Sequence, residues 1–273
     1  MKKDITVKNG SISYYTIGRG QPLIMLCGYG GSYANWPHEL INELGKNFEV
    51  YCLNYRGIGF SKSNDNNYTI PLLAEDLHQF IQELKLTNIS LFSFSMGGYV
   101  AQEYVLHYKE KINLLILCAT KIGGQKAFAV DPEILQKMLP QNSSAEEELE
   151  SDLKLNFPLD EIGKYRESQK ERYKIRNLPE SLVSPEVRIK QRDAIGLWIK
   201  NFSGEKYAEY AKMNIQNTLL FSGLKDIIID YQNSIILSQH IKNSQIHIFD
   251  NGGHGLLRQH PVEIGKIIVN KGT

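Results

Sequence analysis

Cysteine is scarce. The chain has three in 273 residues, Cys27, Cys52 and Cys118, each inside an apolar run. Such thiols build no disulfide framework and their spacing suits no metal site, so they are expected as buried free thiols of a reducing cytoplasm. No apolar stretch approaches the roughly 20 residues of a membrane span. Met1-Lys-Lys-Asp-Ile-Thr-Val7 has basic residues with no apolar run after them, so no signal peptide is expected. An excess of one charge is also missing. The formal net charge is +1, which favours neither nucleic acid nor an anionic membrane surface as a partner. There is no internal repeat and no low-complexity tract. What remains is an ordinary globular composition, long enough to bury a substantial core. The expected setting is the cytoplasm, and the expected assembly a monomer or homodimer.

Apolar runs and their periods reveal the organisation. Ile5–Val7 and Ser11–Ile17 read as strands around an Asn9-Gly10 turn, a strong hairpin signal. Pro22–Gly28 is a continuous apolar run, as in a strand buried on both faces of a parallel sheet. A helical segment leads to Leu44, and Phe48–Asn54 is the next strand. Residues 70–86 place Leu72, Leu73, Leu77, Phe80, Ile81 and Leu84 at helical spacing. Strand-like Ile89–Phe94 and Ile112–Ala119 flank another helical stretch. This alternation predicts an α/β fold with a mostly parallel, doubly wound sheet.

From Thr120 to about Asn214 the strand signals stop. Charged helical segments are separated by Pro140, Pro158, Pro179 and Pro185. Ser144-Ala-Glu-Glu147 has the form of a capping box, and Pro185 suits the first turn of a helix. Strand character returns at Thr218–Gly223 and Gln245–Asp250. The expectation is one core domain, residues 1–119 with 215–273, carrying residues 120–214 as an inserted helical cap.

The chain is organised around Ser95. It sits in Phe92-Ser93-Phe94-Ser95-Met96-Gly97-Gly98, between a strand and a helix with almost no loop. Such a turn strains the serine backbone and needs small neighbours, here Ser93 and Gly97, because strand and helix nearly touch. It leaves a hydroxyl at the carboxyl edge of the strand, beside amide groups at a helix N-terminus. That suits a nucleophile and the oxyanion it creates. A serine nucleophile needs a base, and histidine is the default. Among seven histidines, His254 stands out in Asn251-Gly-Gly-His254-Gly, a glycine-flanked loop just after a strand. His38, His78, His107 and His240 fall in helical segments, His247 in a strand, and His260 before a proline. The acid that orients the base should also follow a strand. Asp226 in Ser222-Gly-Leu-Lys-Asp226 is favoured. Asp230 reads better as a helix N-cap, and Asp250 as a strand end.

Together these segments resemble the α/β-hydrolase family. Ser93-Phe-Ser95-Met-Gly97 is similar to its Gly-x-Ser-x-Gly nucleophile elbow, with Ser93 in place of the first glycine, and the order Ser…Asp…His matches. The resemblance implies a catalytic triad of Ser95, Asp226 and His254. It implies an oxyanion hole from the Tyr29 and Met96 backbone N–H groups. The loop that relatives open with His-Gly opens here with Cys27-Gly28, so any loop hydrogen bond of that imidazole is expected to be lost. Asn54-Tyr-Arg56-Gly-Ile-Gly59-Phe-Ser61 resembles the family's Asp-x-Arg-Gly-x-Gly-x-Ser loop, with Asn54 for the aspartate, and implies a bracing role for Arg56.

The implied reaction is hydrolysis of a small-molecule ester or lactone through an acyl-enzyme, with no metal or cofactor. Within the family the chain looks most like small bacterial esterases and the group containing 3-oxoadipate enol-lactonase. A ligand receptor or stress regulator with vestigial hydrolysis, or a carbon–carbon bond hydrolase, stays open. Gly28 and Trp198 are candidate substrate contacts. Met138, Phe157, Tyr165, Tyr173, Phe202 and Tyr207 could line a pocket with Trp198, although packing onto the sheet is the plainer role for any one of them. Arg166, Arg172, Arg176, Arg188 and Arg192 could pair with an acidic substrate, although charges on a solvated helix face are commoner.

Overall fold

The computed structural model describes residues 2–108, 110–124, 126–138, 144–203, 206, 209–210, 212–213 and 215–272. Strands β1 (Lys2–Val7), β2 (Gly10–Ile17), β3 (Gln21–Leu26), β4 (Phe48–Leu53), β5 (Lys62–Ser63), β6 (Ile89–Phe94), β7 (Ile112–Cys118), β8 (Ile215–Gly223) and β9 (Ser244–Phe249) form a single sheet. The spatial order is β1-β2-β4-β3-β6-β7-β8-β9, with β5 paired to β2. The β1, β2 and β5 pairings are antiparallel, and every pair from β4 to β9 is parallel. The expected α/β fold is present. One detail differs: Gly10 already pairs with Val7, so the hairpin turn is Lys8-Asn9.

The central strands are apolar on both faces because helices cover both. In β7, Leu114, Leu115, Ile116 and Leu117 are all fully buried. Helix α1 (His38–Leu44) packs against Pro261–Gly272, and α2 (Ile70–Glu83) against α3 (Met96–His107). Helix α2 buries Leu73, Leu77, Phe80 and Ile81 as its period predicts, and Thr69 caps it by accepting the Leu72 N–H at 3.2 Å.

Helices α4 (Pro132–Lys137), α5 (Ala145–Asn156), α6 (Ile162–Arg176) and α7 (Pro185–Asn201) lie between β7 and β8 in the chain. The predicted capping box opens α5: Ser144 N–H donates to Glu147 Oε2 at 2.7 Å, and Glu147 N–H returns to Ser144 Oγ at 3.3 Å. Pro185 stands at the start of α7, where Ser184 Oγ accepts the Val187 N–H. These helices meet the loops at the carboxyl ends of the strands. The Gly255 N–H donates to the Asn156 carbonyl at 2.7 Å, and the Gly59 N–H to that of Leu182 at 2.9 Å. Among the described residues no helix is long and apolar enough to cross a membrane.

The β6–α3 junction is as tight as its small residues suggest. A Cβ on Gly97 would stand 2.2 Å from the Leu26 carbonyl oxygen of β3. Gly97→Ala should therefore push α3 off the sheet and cost about 1–3 kcal/mol, as overpacking does. Urea unfolding would read this as a lower midpoint at unchanged slope; an unmoved midpoint would show that the backbone absorbs the methyl group.

Candidate active site

Ser95 has φ 52° and ψ −117°, a strained conformation for a residue with a side chain. The surroundings hold it there. Ser95 N–H donates to the Cys118 carbonyl at 2.9 Å, and its carbonyl accepts Gly98 N–H and Thr120 Oγ1. Ser93, the departure from the usual glycine, is buried, and its hydroxyl donates to the Ile116 carbonyl at 2.7 Å. The extra hydroxyl is thus accommodated inside the sheet without touching Ser95.

The loops after β8 and β9 carry the acid and the base. A Cβ on Gly223 would stand 2.2 Å from the Gly252 carbonyl oxygen, so only a glycine lets the two loops approach this closely. Lys225 N–H donates across to Gly252 at 2.8 Å and ties them together. His254 then lies between Asp226 and Ser95. Its Nδ1 is 2.8 Å from Asp226 Oδ2, and its Nε2 is 3.1 Å from Ser95 Oγ. With Nδ1–H donated to the carboxylate, Nε2 presents a lone pair to the serine hydroxyl. Asp226 Oδ1 accepts the Ile228 and Ile229 N–H groups at 2.8 and 2.9 Å, which orients the carboxylate. Asp230 instead accepts the Gln232 N–H at 2.8 Å at the start of helix Gln232–His240, and Asp250 is exposed.

A hydroxyl, an imidazole and a carboxylate in this order can pass a proton from serine to histidine. A profile of the alpha/beta hydrolase fold family matches residues 21–261. The chain belongs to the α/β-hydrolase family. It is 25% identical over 267 residues to monoacylglycerol lipase ABHD6 of Bos taurus, covering 92% of this chain and 77% of that one. Among solved structures it resembles an alpha/beta hydrolase fold protein from Chitinophaga pinensis, with TM-score 0.84 and 19% identity over 98% of this chain and 95% of that one. It also resembles the enol-lactonase from Burkholderia xenovorans LB400, with TM-score 0.78 and 18% identity over 98% and 99%.

In this α/β-hydrolase the Cys27–Gly31 loop follows β3 and faces Ser95 across a cavity of about 390 Å³. No acceptor among the described residues takes the Tyr29 or Met96 N–H. At the position where relatives carry the imidazole, the Cys27 thiol donates to the Ser32 carbonyl at 3.0 Å. Burial pushes the Cys27 and Cys118 thiols well up, and that of Cys52 to about 12, so all three stay protonated at neutral pH. Asn54, where the family has aspartate, braces two other segments. Its Oδ1 accepts the Tyr33 N–H at 2.7 Å, and its amide donates to the Glu180 carbonyl at 3.0 Å. Arg56 is buried and paired with Asp76 through two 2.7 Å bonds, away from the cavity lining. No group of three or more His, Cys, Asp or Glu among the described residues gathers as metal ligands.

The cavity sorts the remaining candidates. Gly28 lines it, as do Met138 and Tyr173. Trp198 does not: its indole stacks on Tyr99 at 4.9 Å and donates to Glu103 at 2.7 Å, which anchors α7 to α3. Phe202 packs on Trp198, and Phe157 stacks on Tyr165 at 4.3 Å. Tyr207 lies outside the described residues. Arg172, Arg176 and Arg188 line the cavity, against the solvated-face expectation, whereas Arg166 pairs with Glu150 and Arg192 with Asp193 on the surface.

Two residues escaped the sequence reading. Gln191 of α7 is fully buried, and its Oε1 accepts the Gly30 N–H at 2.8 Å, pinning the loop beside Ser95. Its signal was a polar residue on the buried face shared by Val187, Ala194 and Trp198. Arg258 also lines the cavity, one turn beyond His254.

Proposed function

We propose that this protein is a serine hydrolase that cleaves a carboxylic ester or lactone of a small molecule through an acyl-enzyme, with helices α4–α7 as the cap over its site. The observation that carries the reading is the pair of contacts at His254, one to Ser95 Oγ and one to Asp226. His254 Nε2 takes the Ser95 proton as Oγ attacks the carbonyl carbon. The carbonyl oxygen becomes an oxyanion facing the Tyr29 and Met96 N–H groups, reinforced by the N-terminus of α3. Collapse of that intermediate breaks the ester bond, and His254 returns the proton to the leaving alkoxide. Water, deprotonated by the same imidazole, then releases the acid and restores Ser95. Asp226 holds the imidazole in the required tautomer throughout.

The relative named a monoacylglycerol lipase is itself named for ester cleavage, which favours acyl transfer over the other chemistries of this fold. The test joins a label to a rate. A fluorophosphonate should add one adduct per chain, mapped by mass spectrometry to the peptide carrying Ser95. 4-Nitrophenyl acetate should give a burst followed by continued turnover. An adduct elsewhere, or none, removes Ser95 as nucleophile; a burst followed by silence favours a receptor.

A further inference from the structure

The cavity over Ser95 holds more positive charge than its own carboxylates neutralise. Four arginines line it: Arg172, Arg176, Arg188 and Arg258. Arg172 is ion-paired with Asp152, and Arg176 with Glu148 at 3.4 Å. Lys137 and Glu147, also on the wall, carry opposite charges. Arg188 and Arg258 have no carboxylate within 4 Å among the described residues. The Arg188 Nε is buried with no hydrogen-bond partner. It lies 3.9 Å from where a Cβ on Gly30 would stand, on the loop beside Ser95.

A buried guanidinium without an acceptor is costly, and a second one in the same cavity adds repulsion. Burial, and then the charge of Arg176, lowers the Arg188 pKa; burial, and then Arg172, lowers that of Arg258 to about 9. Burial alone would raise the Asp152 carboxyl, yet the charges of Arg172, Arg258 and Arg176 hold it below the usual range, and its direct ion pair is with Arg172. Both unpaired arginines therefore stay cationic at neutral pH, where an anionic ligand would relieve them. The planar guanidinium fork matches a carboxylate in two parallel bonds. Phe94, Met138, Leu155 and Ile228 supply apolar wall in the same cavity, suited to a short carbon chain.

We infer that the substrate is an ester or lactone bearing a free carboxylate, which Arg188 and Arg258 bind while the scissile carbonyl lies at Ser95. This rests on the serine hydrolase reading above. Charge recognition at the cavity wall disfavours uncharged esters by leaving the arginines unpaired, and so supplies specificity as well as affinity.

Two matched pairs of esters test it, since the carboxylate can belong to either side of the ester. On the acyl side, mono(4-nitrophenyl) glutarate is compared with 4-nitrophenyl pentanoate. On the leaving-group side, 3-(butanoyloxy)benzoate is compared with phenyl butanoate. In at least one pair the anionic ester should have the higher kcat/KM by roughly ten- to hundredfold, the scale of hydrogen bonds to charged groups. Arg188→Gln should collapse that ratio to about one, chiefly through KM, and Arg188→Lys should restore part of it. Neutral esters cleaved in a Ser95-dependent way with no anionic preference in either pair would overturn the inference and leave the hydrolase reading standing. If no ester is cleaved and Ser95 takes no label, the hydrolase reading fails. Calorimetry then still decides the anion site: glutarate should bind the wild type and not Arg188→Gln, and equal binding or none would overturn it.

Discussion

Ser95→Ala should lower kcat for a 4-nitrophenyl ester by about 10⁵–10⁶-fold, the loss seen when the serine of a comparable triad is removed. Without Oγ no acyl-enzyme forms, and His254 has nothing to deprotonate but water. The fold should survive. The Ser95 Oγ contact given by the structure is to His254, and the strained backbone at φ 52° is held by Cys118, Gly98 and Thr120 through main-chain atoms that alanine keeps. A melting temperature within a few degrees of wild type, beside the lost turnover, would separate chemistry from stability. The Tyr29 and Met96 amides remain, so a small residual rate above water is consistent with the reading. Activity within tenfold of wild type would mean that another residue attacks the carbonyl.

Asp226→Asn should lower kcat by about 10⁴-fold with KM little changed, because it reverses the imidazole tautomer. Asp226 Oδ1 accepts the Ile228 and Ile229 N–H groups, so the asparagine oxygen stays with those donors and its NH₂ faces His254. Nδ1 must then accept, Nε2 carries the hydrogen, and the lone pair opposite Ser95 is gone. Asp230→Asn is the matched control. An asparagine oxygen can accept the Gln232 N–H as the aspartate does, so turnover should stay within about twofold. Equal losses in the two variants would sink the assignment of Asp226, since only one of these carboxylates touches His254.

Where sequence and structure agree, the signal is local. Tight strand-to-helix packing demands small residues, and Ser93, Gly97 and Gly98 announce it. Asp226 and His254 could be picked out because a loop that follows a buried strand begins at the edge where side chains of other loops converge. The capping box at Ser144 and the proline of α7 were equally readable, since a cap depends on residues within one turn. The parallel sheet followed from runs such as Ile112–Cys118, too apolar to face water on either side.

Where they part, the deciding contact lies far along the chain. Gln191 reaches Gly30 across 161 positions, and Trp198 reaches Glu103 across 95. Helical periodicity says that Arg172, Arg176 and Arg188 recur on their helices; it does not say whether that face meets water or a cavity. Trp198 turned the other way, into the packing between α7 and α3. Cys27 shows a similar limit, because the acceptor for its thiol exists only once the loop brings Ser32 back beside it. The sequence alone determined the sheet and the tight turn at Ser95, since each is set by neighbours a few residues away, and it offered Asp226 and His254 as candidates from their places after strands. Which helix faces close over Ser95, and which charges they leave unpaired there, was decided only by tertiary packing, since each helix has several faces and the fold selects which one meets the cavity.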